Sequence, residues 1–76
     1  SPCQRIAKDC PAAGGTACAI MNGANEVAVA QFLRGEIGFN DIARRVERAL
    51  SRVAVKYQPS LGDILEADRL GREAAR

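Results

Sequence analysis

Apolar residues in this chain return every three or four positions, and the every-second-residue alternation of a strand is absent. That pattern predicts helix throughout. The longest periodic run is Ala17 to Arg34, a helix of about 27 Å at 1.5 Å per residue. Ile20, Ala24, Val27 and Gln31 fall on one stripe of it, with Met21, Ala28 and Phe32 beside them. Such a broad apolar face belongs to a helix packed on a core. Thr16 reads as the N-cap, since its hydroxyl can accept an orphan backbone N–H. Gly35 reads as the stop, because glycine takes the left-handed C-cap conformation without a Cβ penalty.

After the short apolar connector Ile37-Gly38-Phe39, Asn40 reads as the next cap. Asp41 then sits at the positive end of the helix dipole. Ile42, Val46, Ala49, Leu50 and Val53 follow at helical spacing, while Arg44, Arg45, Glu47, Arg48 and Arg52 take the opposite, solvent-directed face. A loop over 54–59 ends in Pro59. Ser60 with Asp63 forms a capping-box pattern, with Asp in place of the usual Glu or Gln. The last helix runs from Leu61 towards the C-terminus. Its first half should face inward through Leu61, Ile64, Leu65 and Ala67. Its polar second half carries the i,i+4 pairs Asp68–Arg72 and Arg69–Glu73. At the front, residues 3–10 can make two helical turns, with Pro2 suited to the first position and Pro11 as the stop. The expected fold is all-α: one domain over 1–76, a small antiparallel bundle of three main helices plus a short N-terminal helix.

Composition narrows the function classes. A chain of 76 residues makes one domain at most and buries only about 60% of its unfolded surface. With 11 basic and 9 acidic residues the net charge is +2, too balanced to imply a nucleic-acid or membrane partner. No apolar run approaches the ~20 residues that span a bilayer. The start lacks both the apolar core of a signal peptide and an initiator Met, so the chain is expected to be part of something longer. Cys3, Cys10 and Cys18 are odd in number and too widely spaced for a zinc knuckle, and there is no histidine. They predict free, buried or incidental thiols in a reducing compartment.

The run Asn22-Gly23-Ala24-Asn25-Glu26 is the feature that folding explains least. Asn is a poor helix-interior residue, and Gly23 costs about 1 kcal/mol relative to Ala. Asn22, Asn25 and Glu26 stand at i, i+3 and i+4 and share one face. We expect them to be a polar anchor, within the bundle or towards another domain. A lone carboxylate without His, Cys or a second acid is poorly equipped for acid–base catalysis. The basic stripe of Arg44, Arg45, Arg48, Arg52 and Lys56 invites a helix-turn-helix reading, but no aromatic interleaving or basic arm supports it. Pro59-Ser60-Leu61 lacks the Asp that precedes the serine of an acyl carrier protein, so Ser60 is a cap. Gly14-Gly15 lacks the spacing and the preceding strand of a phosphate loop.

Three runs carry a resemblance: Gly14-Gly15-Thr16-Ala17, then Met21-Asn22-Gly23-Ala24-Asn25-Glu26-Val27-Ala28-Val29-Ala30-Gln31-Phe32-Leu33, then Ile37-Gly38-Phe39-Asn40-Asp41-Ile42. With Pro59-Ser60-Leu61-Gly62-Asp63-Ile64-Leu65 and Arg72-Glu73-Ala74, they resemble the C-terminal domain of the 1-deoxy-D-xylulose 5-phosphate reductoisomerase family over roughly residues 11 to 75. Gly23 stands where that family usually has Ala, and Cys18 where Pro or another small residue is common.

The resemblance implies a parent enzyme that rearranges and reduces 1-deoxy-D-xylulose 5-phosphate to 2-C-methyl-D-erythritol 4-phosphate in non-mevalonate isoprenoid biosynthesis. It implies NADPH and Mg²⁺ or Mn²⁺ as the parent's cofactors, none of them held by this chain. It also implies a Rossmann domain and a catalytic domain in the same polypeptide, a homodimeric parent, and no nucleic-acid or membrane partner. A bacterial cytoplasmic location follows, with the plastid as the alternative. No catalytic, cofactor or metal residue is carried over onto this sequence. The rival reading is a freestanding helical interaction module, with nucleic acid as its possible ligand class.

Overall fold

The computed structural model describes residues 14–76. Among them are three helices, α1 (Ala17–Leu33), α2 (Phe39–Arg52) and α3 (Leu61–Ala75). The short helix expected over 3–10 lies outside the described residues. Thr16 at the start of α1 meets Lys56 beyond the end of α2, while Gln31 near the end of α1 meets Arg45 in the first half of α2. The helix α2 therefore runs antiparallel to α1. The chain then turns back, and the end of α3 lies beside the middle of α2. The result is the expected antiparallel bundle.

Local chemistry explains most boundaries. At the end of α1, Gly35 is left-handed at φ 77°. Its N–H donates to the Phe32 carbonyl at 2.9 Å and the Glu36 N–H to the Gln31 carbonyl at 2.9 Å. These two bonds form a Schellman motif and satisfy carbonyls that the helix end would leave unpaired. At α3 both halves of the capping box form: the Asp63 N–H donates to Ser60 Oγ at 3.1 Å, and the Ser60 N–H donates to Asp63 Oδ2 at 3.1 Å.

Two expected caps are corrected. Helix α2 starts earlier than Asn40, with Gly38 as the capping residue. The Asp41 carboxylate accepts the Gly38 N–H at 2.8 Å, so Asn40 falls inside the first turn and is exposed. Thr16 makes no side-chain cap bond to α1. It is 1% exposed and forms a bracket to the 54–59 loop instead. Its N–H donates to the Lys56 carbonyl at 2.9 Å, and its Oγ1 accepts the Lys56 N–H at 2.8 Å. Gly15, left-handed at φ 55°, lies so close that a Cβ there would sit 2.2 Å from the Lys56 carbonyl oxygen. Only glycine lets the two backbones meet.

The core consists of Ile20, Met21, Ala24, Ala28, Val46, Ala49, Ala67 and Ala75. Five of these eight are alanine, so helix axes can approach closely. Contact is tightest between α1 and α3. A Cβ on Gly71 would lie 2.4 Å from the Ile20 carbonyl oxygen, and one on Gly23 would lie 2.7 Å from the Asp68 carbonyl oxygen. Gly23 thus admits α3 against α1.

The inward face expected for α3 is also corrected. Ala67 is buried, but Leu61, Ile64 and Leu65 are 73%, 40% and 61% exposed. The buried stripe is Ala67, Gly71 and Ala75. Cys18 is disulfide-bonded, so it is not the free thiol the cysteine count suggested.

Candidate functional site

The polar face of α1 is set by helical spacing, which brings Asn22, Asn25 and Glu26 to one side. Asn22 and Glu26 are exposed, and Asn25 is half-buried. Glu26 reaches across to α3, where its carboxylate accepts a hydrogen bond from Arg72 Nη2. Arg72 Nε donates to Asp68 Oδ1 at 3.0 Å, the i,i+4 pair expected from the sequence. One guanidinium therefore holds a carboxylate from each helix beside the Gly23–Asp68 approach. Hydrogen bonds to Glu26 and then to Asp68 raise the Arg72 pKa further above its ordinary value. Both acids thus face a permanent cation. Each carboxylate is thereby committed to a structural ion pair.

Next to this clamp, a shallow groove of about 310 Å³ is lined by Glu26, Val27, Ala30, Arg34, Arg72 and Arg76. Its basic groups are partly neutralised. Arg34 pairs with Glu36, and that bond raises the guanidinium pKa and lowers the carboxyl pKa.

The basic face of α2 does not stand free in solvent as a stripe. Arg44 is exposed and pairs with Asp41 at 2.9 Å, as a solvated residue would. Arg45 and Arg48 are half-buried, contrary to the expectation that they face solvent. Arg45 Nη1 donates to the Ala75 carbonyl at 2.9 Å and to the Arg76 main-chain oxygen at 2.8 Å. Arg48 donates from Nε to the Ala74 carbonyl at 3.0 Å and from Nη2 to Arg76 at 3.2 Å. The two arginines satisfy the orphan carbonyls of α3 and complement the negative end of its dipole. Desolvation, then the neighbouring Arg45 and Arg52 charges, lower the Arg48 pKa.

Two surfaces expose large apolar groups. Leu33 and Phe39 lie at the α1–α2 turn, where Phe39 makes an edge contact with Phe32 at 5.7 Å between ring centroids. Tyr57, Leu61, Ile64 and Leu65 lie at the loop and first half of α3. Sequence reasoning missed this second surface and the two arginine clamps. The signal for the surface was present: Ala67, Gly71 and Ala75 stand at i, i+4 and i+8, a small-residue stripe that competes with the leucines for the inward face.

Among the described residues, no group of three or more His, Cys, Asp or Glu side chains could hold a metal ion. None of their helices is long and apolar enough to cross a membrane. The donor set of the described residues does not fit the divalent metal that the parent family implies.

Fold and surface together define a small helical unit, with three helices among the described residues and ionic groups that tie them to one another. The family model described as DXP reductoisomerase C-terminal domain matches residues 1–74, and the chain belongs to that family. It is 47% identical over 97% of its length to the 1-deoxy-D-xylulose 5-phosphate reductoisomerase of Methylobacillus flagellatus. It is 49% identical over 99% of its length to that of Cupriavidus pinatubonensis, and 49% identical over 97% to that of Pseudomonas paraeruginosa. The chain spans 19% of each of these relatives. No solved structure matches the chain at a significant level.

Proposed function

We propose that residues 1–76 form a single helical support domain of an NADPH-dependent oxidoreductase that converts 1-deoxy-D-xylulose 5-phosphate to 2-C-methyl-D-erythritol 4-phosphate in isoprenoid biosynthesis. The observation that carries this reading is the family match over nearly the whole chain, to relatives of that name. In it the chemistry belongs to the rest of the polypeptide. A Rossmann domain holds NADPH, a catalytic domain holds Mg²⁺ or Mn²⁺, and the parent is a homodimer in the bacterial cytoplasm. No nucleic acid and no membrane takes part.

Within this chain the anchors are Asn22, Asn25 and Glu26. Glu26 ties α1 to α3 through Arg72, and the amides of Asn22 and Asn25 face the other domains. The engagement of Arg45 and Arg48 with α3 carbonyls supports a bracing role over the nucleic-acid alternative, which needs those cations on phosphates.

The test is a chimera in which this chain replaces the matching region of the Methylobacillus flagellatus enzyme. Turnover of 1-deoxy-D-xylulose 5-phosphate with NADPH should persist in the chimera, and the 76 residues alone should show none. Turnover by the isolated chain, or a folded chimera without activity, overturns the reading.

A further inference from the structure

We infer that the end of the bundle formed by Tyr57, Leu61, Ile64 and Leu65 is the face on which the rest of the parent polypeptide docks. This rests on the support-domain reading above and adds an apolar docking face to the Asn22 and Asn25 amides named there.

Leu61, Ile64 and Leu65 stand at i, i+3 and i+4, so they share one helical face. All three point away from the bundle, because the α1 side of α3 is taken by Ala67, Gly71 and Ala75. Tyr57 joins them from the preceding loop, 71% exposed. The loop is built rather than slack. Thr16 brackets Lys56 through two hydrogen bonds, Lys56 Nζ pairs with Asp63 at 3.5 Å, and the Ser60–Asp63 box fixes the start of α3. Between them Gln58 holds a left-handed φ of 54°. A non-glycine residue keeps such a conformation only where its surroundings over-determine it. A preorganised apolar surface loses little entropy when a partner covers it.

The occupant follows from the relatives. In each, the matched region is 19% of the polypeptide, so about four-fifths of the same chain lies outside it. A covalently attached domain faces this surface at an effective concentration of order millimolar. A second copy of the domain must arrive from dilute solution, so the tethered partner wins. The aromatic corner at Phe39 is a weaker candidate, because its ring already packs on Phe32.

Hydroxyl-radical footprinting tests this on the isolated 76-residue chain and on the chimera described above, each shown to be monodisperse. Labelling of Tyr57, Leu61 and Leu65 should be strong in the isolated chain, independent of its concentration, and at least five-fold lower in the chimera. Unchanged labelling in the chimera overturns the docking face whether or not the chimera is active. Protection in the isolated chain that grows with concentration assigns the face to a second copy, and protection independent of concentration assigns it to the chain's own N-terminal residues; either overturns the inference. An inactive chimera with protected Tyr57, Leu61 and Leu65 keeps the docking face and removes the support-domain reading.

Discussion

The two halves of α3 contrast in a way that hydropathy alone reverses. The first half carries Leu61, Ile64 and Leu65, yet these side chains lie largely outside. The second half, with Arg69, Arg72 and Glu73 along it, reads as polar, yet it packs tightly on α1 at Gly71 and buries Ala75. Size decides the outcome. Where two helix backbones come within van der Waals contact, only glycine and alanine fit, and leucine is displaced to another face. The charged residues of the second half then bond at the margins. Arg72 bridges to Glu26, Arg69 pairs with Glu66 and Glu73, and Arg45 and Arg48 hold the last carbonyls.

The largest test of this contrast is Gly71→Ala. Alanine is the better helix former by about 1 kcal/mol, so propensity alone predicts stabilisation. The new methyl would meet the Ile20 carbonyl oxygen at 2.4 Å, and we expect a net loss of about 3 kcal/mol from overpacking. Urea unfolding of the isolated chain measures it. An unchanged or raised midpoint would show that α1 and α3 do not approach so closely.

Next comes Thr16→Val, which removes the hydroxyl that accepts the Lys56 N–H while keeping the side-chain shape. Leaving that donor without a partner should cost about 2 kcal/mol. It should also speed amide exchange at Lys56 and through the loop to Tyr57. If the loss appears without faster exchange there, the bracket does not hold the loop.

Acid should act at the caps. The Gly38 N–H and then Arg44 lower the Asp41 pKa, and the Ser60 N–H, the Ser60 hydroxyl and then Lys56 lower that of Asp63. Both carboxyls are therefore more acidic folded than unfolded. Their stabilisation is complete above the ordinary aspartate value near 3.9 and disappears as pH falls through the lower folded values. Thermal melts from pH 6 downward should hold a plateau and then decline below about pH 4. Asp63→Asn should flatten that decline.

The smallest effect is expected at Leu65→Glu in the isolated chain. A side chain that is 61% exposed should tolerate the change within about 0.5 kcal/mol. A large loss of melting temperature would place Leu65 inside the core and erase the contrast between the two halves.

Much of this protein was legible in its residue order. Periodicity located all three helices among the described residues, and Gly35, Ser60 and Asp63 marked their ends, because these signals act over four or five residues. The long motif from Met21 to Leu33 pointed to the family. Which side of α3 turns inward, where the Thr16 hydroxyl bonds, and what Arg45 and Arg48 hold were settled only by tertiary packing. Each depends on a partner 26 to 51 residues away, and no local pattern encodes that neighbour. The close approach at Gly23 and Gly71 exists only once two helices have crossed. The crossing then decides which of the apolar residues are left facing outward.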